Sequence, residues 1–362
     1  MNRTSMRRVL VPAVAALSLG LGLTACNSSN GASGGGNTLA GSGSTAQQKA
    51  ETAWIAGYQT SNSNATVTYD PVGSGSGRKN FESGASAFAG SDSYLTDDQG
   101  ELTAAKKQCS GEDPIEVPAY VSPIAVAFNL GSIKSLNLSA ETIAKIFNGT
   151  ITTWNDPAIA AENKGVSLPS APIVTVHRSD DSGTTKNFTD YLSKASNGTW
   201  KDKADSLWPS TLKGESAEGT SGVVGVITDT PNTIGYADNS AVSGLGVASI
   251  QVGSAYVAPS ADAASKALEV SKPVAGRPSV DLAYDVDRTT TQAGAYPLIL
   301  VSYLLACQHY SDATQASLVK GFLSYAVSAE GQKAAAAAAG SAELPASIQA
   351  KAAAIVGAIA AK

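Results

Sequence analysis

The stretch IVTVHRSDDSGTTKNFTDYLSKAS, residues 173–196, decides the fold class of this chain. Its apolar start predicts a strand over Ile173–His177, and the residues from about Thr184 onward predict a helix. An arginine, two acids, a glycine and several hydroxyl side chains lie between them. The same order of strand, polar loop and helix recurs in residues 37–60 and 65–84. Strands that alternate with helices predict an α/β fold with mainly parallel sheets.

Further segments extend this pattern along the chain. The apolar run VPAYVSPIAVAFN, from Val117, predicts another strand, and residues 141–163 predict two helices, the second capped near Asn155 or Asp156. The C-terminal part is expected to be mostly helical, in the segments AYPLILVSYLLACQHY (295–310), TQASLVKGFLSYAVSAEGQKAAAAAAG (314–340) and PASIQAKAAAIVGAIAA (345–361). The apolar run of the last segment is too short to span a membrane, so we expect a packed surface helix.

Composition narrows the function classes. The chain has 362 residues, of which 15% are charged, and a net charge of −5. This length suffices for one two-lobed domain or for two domains. The acidic balance disfavours nucleic acid as a partner, because binding to a phosphate backbone requires a basic face. The histidines are His177 and His309, and no Cys/His cluster has metal-ligand spacing, so we expect neither a metal site nor a cofactor.

The N-terminal residues predict export. In residues 1–25, arginines precede a short apolar run that ends in small residues, as in a secretory signal peptide; a retained N-terminal anchor is the alternative. The segment LTAC is similar to a bacterial lipobox, which implies cleavage before Cys26 and lipid on its thiol and new amine. Residues 26–37 are small and polar, and predict a flexible tether. Loss of the leader removes three arginines and no acids, which changes the net charge from −5 to −8.

Two more cysteines, Cys109 and Cys307, lie far apart in the chain. In an oxidising exterior we expect them to form a disulfide that closes a very long loop. Two separately buried thiols are the alternative.

The three polar loops share a physical property, because each connects a strand to a helix. A helix N-terminus has unpaired backbone N–H groups and a partial positive charge, so it favours anions. Glycine permits close approach of the backbone, and serine or threonine adds a hydroxyl donor. Arg178 adds a planar fork of donors that suits a tetrahedral oxyanion. For any single loop, ordinary helix capping is the alternative.

Enzymatic signatures are weak in these loops. Gly73–Lys79 superficially resembles a phosphate-binding P-loop but lacks the GK[ST] ending, and no G-x-S-x-G nucleophile elbow occurs there. His177 could act as a general base, but no third residue to orient it is evident, so we interpret it as a strand-end residue. We therefore expect no enzyme, with an extracellular phosphatase or phosphotransferase as the competing hypothesis.

A family resemblance connects these features. The stretches TLAGSGSTAQ, VGSGSGRKNF, FAGSDSYLTD, IFNGTITTWNDPAIA, HRSDDSGTTKNF and GVVGVITDTPNTIGYAD occur in this order. Together they resemble the periplasmic or lipid-anchored phosphate-binding protein of bacterial high-affinity phosphate ABC transporters. The resemblance covers nearly the whole chain from about Thr38 to ELPASI near the C-terminus. The lipobox, the tether and the cysteine pair resemble an actinobacterial version.

The resemblance implies a set of phosphate-binding residues. They are the Thr45 hydroxyl and the Ala46 backbone N–H from the first loop, then Ser74, Asp92, Arg178, Ser182, Gly183 and Thr184. Asp180 would steady the arginine, and Asp181 replaces a commoner glycine with an effect that the sequence does not reveal. A carboxylate in such a pocket repels an anion unless the anion carries a proton for it to accept. Asp92 is therefore expected to select phosphate over sulfate.

The resemblance also implies an architecture and a role. We expect a type II periplasmic-binding-protein-like fold, with lobe I formed by residues 38–118 plus 258–362 and lobe II by residues 119–257. Two or more chain crossings, near Pro118–Val121 and Gln251–Pro259, would form the hinge of a cleft that closes on the ligand. The expected function is phosphate capture by a monomeric lipoprotein on the extracellular face of the cell membrane, with delivery to the permease and ATPase subunits of an importer. A binding protein for sulfate or molybdate is the second competing hypothesis.

Overall fold

The computed structural model describes residues 37–362 of the chain. The predicted signal peptide, Cys26 and nearly all of the tether lie outside the described residues. The strands are, in chain order, β1 Thr38–Gly43, β2 Thr66–Asp70, β3 Phe88–Ser91, β4 Ile115–Phe128, β5 Ser135–Leu138, β6 Val174–Arg178, β7 Glu215–Ala217, β8 Thr233–Asp238, β9 Gly246–Val252, β10 Ala255–Val257, β11 Lys272–Pro273, β12 Tyr284–Asp285, β13 Ile299–Ala306, β14 His309–Tyr310 and β15 Ala360–Ala361.

The helices alternate with these strands over most of the described chain. They are α1 Gln48–Ser61, α2 Ser74–Glu82, α3 Glu101–Gln108, α4 Ala140–Phe147, α5 Pro157–Glu162, α6 Gly183–Ala195, α7 Gly219–Asp229, α8 Ala261–Glu269, α9 Ala313–Val327, α10 Ala329–Ala339 and α11 Ala346–Gly357. A 3-10 turn spans Asn239–Ala241. The α/β fold class predicted from the sequence is confirmed.

Strand β4 connects two halves of one large sheet. Its residues Ile115–Pro123 pair with β13, and the order β2-β1-β3-β13-β4 forms what we call the first sheet half. Its residues Ile124–Phe128 pair with β8, and β8, β6 and β7 follow in order. Strand β9 pairs with the end of β4 and carries β5 and β10, which completes the second sheet half. Every residue of β4 is buried, so the core runs continuously through both halves.

One predicted element is wrong. The segment AYPLILVSYLLACQHY was expected to be helical, but its residues Ile299–Ala306 form β13, which lies between β3 and β4 and is buried throughout. A strand buried on both faces reads as a continuous apolar run, and such a run does not distinguish strand from helix. Strand β13 is antiparallel to both neighbours, and β4 is antiparallel to β8. The expectation of a mainly parallel sheet is therefore also wrong, because the centre of the sheet is antiparallel.

The helices predicted for residues 141–163, 314–340 and 345–361 are confirmed. Helices α4 and α5 flank the expected turn, and the Asp156 carboxylate caps α5 by accepting the Ala158 N–H at 2.8 Å. Residues 314–340 form two helices, because Ser328 adopts an extended conformation that ends α9 and caps α10. Helix α11 packs Ala352 and Val356 into the core. Among residues 37–362, no helix is both long and apolar enough to cross a membrane.

The predicted disulfide is confirmed. Cys109, which follows α3, bonds to Cys307, which follows β13, over a sequence separation of 198. Both cysteines are buried in the core. The alternative of two separate thiols is therefore wrong.

Candidate functional site

The site lies where several strands of the sheet end. Thr45 follows β1, Asp92 follows β3 and Arg178 ends β6. Ser74 is the first residue of α2, and Ser182 is the N-cap of α6. The carboxyl ends of neighbouring strands are the usual place for ligands in open α/β sheets, because the loops and helix N-termini converge there.

A cluster around Asp92 joins the two sheet halves. The Asp92 backbone N–H donates to the Ser74 hydroxyl at 3.1 Å, and the Thr184 hydroxyl donates to Asp92 Oδ2 at 3.1 Å. A Cβ atom at Gly183 would lie 2.7 Å from both Asp92 Cβ and Ser74 Oγ, so only glycine fits at this contact. Asp92 itself is 3% exposed. Four of the predicted residues therefore meet in one buried place.

Arg178 and Asp180 form a rigid pair beside this cluster. Arg178 Nε donates to Asp180 Oδ1 at 2.6 Å, and Arg178 Nη2 donates to Asp180 Oδ2. The Gly219 backbone N–H also donates to Asp180 Oδ1, at 3.1 Å. Burial alone would raise the pKa of Asp180, but the hydrogen bonds and charge of Arg178 outweigh it and lower that pKa. Asp180 therefore stays ionised and fixes the orientation of the guanidinium group.

The pair approaches the first sheet half at Gly73, which precedes Ser74. A Cβ atom at Gly73 would lie 2.6 Å from Asp180 Oδ2 and 3.6 Å from Arg178 Nη2. Gly73 has a φ of 90°, a backbone conformation that other residues rarely adopt. The guanidinium group therefore lies next to the Ser74 end of the cluster.

The loop that follows β1 carries Thr45 and Ala46, and Thr45 contacts the start of α7. The Thr45 hydroxyl lies 3.0 Å from the Thr220 hydroxyl and accepts the Thr220 backbone N–H at 3.1 Å. The neighbouring Gly219 N–H binds Asp180, so Thr45 is linked to the arginine pair in two steps. The Ala46 N–H donates to the Ser44 hydroxyl at 3.1 Å.

Two other predicted residues have internal partners. The Ser182 hydroxyl accepts the Thr185 N–H at 3.2 Å, which makes it the N-cap of α6. His177 stacks on Trp208 with ring centroids 4.8 Å apart and an interplanar angle of 9°. Burial lowers the pKa of His177. The ring of His177 therefore packs as part of an aromatic cluster, in agreement with its interpretation as a strand-end residue.

Comparisons with known proteins identify the family. The sequence profile described as a PBP superfamily domain matches residues 28–330. "Phosphate-binding protein PstS 2" of Mycobacterium tuberculosis is 38% identical, with 96% of this chain and 98% of that protein covered. "Phosphate-binding protein PstS 3" of Mycobacterium leprae is 36% identical, with 86% and 88% covered. The chain belongs to the PstS family of the PBP superfamily.

Solved structures agree on the fold. A high affinity periplasmic phosphate-binding protein, PfluDING, bound with phosphate, has a TM-score of 0.70 at 23% identity, with 86% of this chain and 92% of that chain covered. A phosphate-binding protein from Stenotrophomonas maltophilia has a TM-score of 0.68 at 21% identity, with 88% and 93% covered. The type II binding-protein fold predicted for this PstS family member is thus confirmed.

The sequence did not reveal several residues that contact Asp92 or Thr45. The Ser302 hydroxyl donates to Asp92 Oδ1, and Asn187 Nδ2 donates to the Asp92 backbone oxygen at 2.6 Å. Thr220 binds Thr45 as described above. Ser302 interrupts an otherwise apolar strand. Thr220 lies in a Gly-Thr-Ser-Gly run at the start of α7, and a similar run of small and hydroxyl residues marked the other loops. The Thr220 signal was available, whereas no local pattern relates Ser302 to Asp92.

The site combines many hydrogen-bond donors with the buried carboxylate of Asp92, which accepts hydrogen bonds from neutral hydroxyl groups. Hydroxyl groups, backbone N–H groups and one guanidinium group supply the donors, and Asp92 supplies the carboxylate. Within residues 37–362, no group of three or more His, Cys, Asp or Glu side chains could hold a metal ion. The arrangement suits a small tetrahedral oxyanion that also carries a proton.

Proposed function

We propose that this PstS family member is an extracellular solute-binding lipoprotein that captures inorganic phosphate and delivers it to an ABC importer. Its relatives are named phosphate-binding proteins, and the residues that the resemblance implies lie where strands of both sheet halves end and helices begin. The partners would be the permease and ATPase subunits of the importer. The protein would act as a monomer that is held at the cell membrane by lipid on Cys26.

The buried Asp92 carboxylate carries this proposal. Both of its oxygens accept hydrogen bonds from hydroxyl groups, those of Thr184 and Ser302, in a site whose other groups are mainly donors. Phosphate near neutral pH keeps at least one O–H that can donate to this carboxylate, whereas sulfate has none. A sulfate ion has no proton to donate, so its oxygens would lie against the negative Asp92 carboxylate without a hydrogen bond, which costs binding free energy.

Ligand binding would exchange internal hydrogen bonds for bonds to phosphate. The hydroxyl groups of Thr45, Ser74, Ser182 and Thr184 can rotate toward an anion, and the backbone N–H groups of Ala46, Gly183 and Thr184 add donors. Arg178, held by Asp180, supplies the charge. A net acidic protein attracts phosphate through these local donors rather than through its overall charge.

Closure of two lobes would bring these donors together. The lobes would be residues 38–118 plus 258–362 and residues 119–257, and β4 changes partner from β13 to β8 between Pro123 and Ile124. The contacts of Thr184 with Asp92 and of Thr220 with Thr45 join the two sheet halves, and in this proposal they belong to the closed form. Ligand contacts from both sides would stabilise this form.

A catalytic role has less support from the site. A hydrolase needs a nucleophile next to a base that is oriented by a third group. Here the Ser182 hydroxyl caps α6, and His177 is stacked on Trp208 with Nδ1 at 2.9 Å from the Arg178 carbonyl oxygen. These contacts favour binding over turnover.

Calorimetry on ligand-stripped protein tests the proposal. We expect the wild type to bind phosphate and arsenate and to reject sulfate, and we expect Asp92→Asn to lose this selectivity. Asp98→Asn, which removes the same charge from an exposed residue nearby in the chain, is the matched control and should leave selectivity unchanged. A wild type that does not bind phosphate refutes the function, and intact selectivity in Asp92→Asn refutes the role of that carboxylate.

A further inference from the structure

Asp181, whose role the sequence did not explain, follows β6 of the second sheet half and contacts α2, which follows β2 of the first sheet half. Its backbone oxygen accepts the Gly75 N–H at 3.0 Å. Its carboxylate lies 3.3 Å from Arg78 Nη2 and 3.6 Å from Lys79 Nζ. The residue therefore connects the loop that carries Arg178 to the helix that begins with Ser74.

This contact is closely packed. A Cβ atom at Gly75 would lie 2.0 Å from Asp181 Cγ, so a residue with a side chain at that position would displace the carboxylate. The Asp181 side chain is only 17% exposed. The absence of a side chain at Gly75, in the sequence GSGSG at the start of α2, thus leaves room for Asp181.

Arg78 is held by its own sheet half. Arg78 Nε binds Glu101 at 2.7 Å, and Arg78 Nη1 donates to the hydroxyls of Ser91 and Ser93 at 3.1 and 3.0 Å. Its side chain is 4% exposed. If the halves separate, Arg78 keeps these partners, and only the bond from Nη2 to Asp181 is lost. Of these Arg78 contacts, only the bond to Asp181 spans the two sheet halves.

We propose that Asp181 is a positioning residue that holds the closed form through Arg78 and Lys79 and so slows phosphate release. The proposal rests on the function proposed above. An ion pair made only after closure lowers the free energy of the closed state without touching the ligand. Its partly buried geometry makes it stronger than an exposed surface pair.

The test is the rate of phosphate release. Protein loaded with radiolabelled phosphate is chased with unlabelled phosphate, and the association rate is measured separately. We expect Asp181→Asn to release phosphate about three- to tenfold faster, with an association rate within about twofold of wild type, because binding precedes closure. Added salt should speed release from the wild type more than from Asp181→Asn, since only the wild type has the pair to screen.

Matched variants distinguish the ion pair from a general charge effect. Asp229→Asn removes the same charge from an exposed position on α7 and should leave release unchanged. Lys79→Gln changes a side chain that is 71% exposed, so folding is retained, and its effect should be smaller when Asp181→Asn is already present. If the wild type binds phosphate but Asp181→Asn releases it no faster than the wild type does, this inference alone is wrong. If the wild type does not bind phosphate, both proposals are wrong.

Discussion

Asp238 lies where β4 changes partners from β13 to β8, and its carboxyl group allows a quantitative prediction of how the free energy of unfolding depends on pH. It pairs in register with Ile124 and is fully buried. Its carboxylate accepts the Tyr120 hydroxyl at 3.0 and 3.1 Å from its two oxygens, and the Ser240 N–H at 2.9 Å. Burial outweighs these neutral donors and raises the pKa of Asp238 from 3.8 to about 6.

The folded protein therefore binds this proton more tightly than the unfolded chain does. The resulting contribution to the free energy of unfolding is fully present below about pH 4 and is lost as the pH rises through about 6. A shift of about two pKa units corresponds to about 3 kcal/mol. Asparagine does not ionise, so Asp238→Asn should become more stable relative to wild type by up to about 3 kcal/mol between about pH 4 and about pH 8.

Urea unfolding of phosphate-free protein, followed by circular dichroism at both pH values, measures this change. The quantity of interest is the variant's free energy of unfolding minus that of wild type, compared between the two pH values. This comparison cancels any fixed cost of replacing one carboxylate oxygen by an amide. If this difference changes by less than about 0.5 kcal/mol between the two pH values, the reasoning that a neutral Asp238 stabilises the folded protein is refuted.

Other predictions concern the disulfide and the site. Replacing Cys109 and Cys307 by Ala should lower the free energy of unfolding by about 5 kcal/mol, because the loop spans 198 residues; a loss below about 1 kcal/mol in urea titrations would contradict this. Gly183→Ala should weaken phosphate binding about 10- to 100-fold, since its Cβ lies 2.7 Å from Asp92 Cβ; unchanged calorimetric affinity would argue against the close contact. Ser302→Ala should weaken phosphate binding about tenfold by leaving Asp92 Oδ1 without its donor, and calorimetry showing equal affinity would count against that role.

The sequence predicted those parts of the site whose residues lie close together in the chain. The loop from Arg178 to Thr184 combines a charged side chain, a helix cap and a close-approach glycine within one strand-to-helix connection. The structure places each of these groups at the end of β6 or the start of α6. Asp92 and Ser74 could be added only by resemblance, since they come from separate loops.

The other parts of the site and of the fold depend on contacts between residues that are far apart in the chain. Thr220 meets Thr45 across 175 positions, and Ser302 meets Asp92 across 210 positions. Strand β13 was mistaken for a helix because its apolar run lacks the alternation of a half-buried strand. Its insertion between β3 and β4 also makes the sheet centre antiparallel, and no periodicity within the chain indicates that pairing.

The position of β13 determines when the sheet can be completed during synthesis. Strand β4 is buried along its whole length, yet its partner Ile299–Ala306 follows near the C-terminal end of the chain. Until that segment emerges from the ribosome, β3 and β4 both present open edges, and open edges are prone to pair with other chains. The first sheet half can therefore be completed only after most of the chain has been made, and β3 and β4 keep these open edges until then.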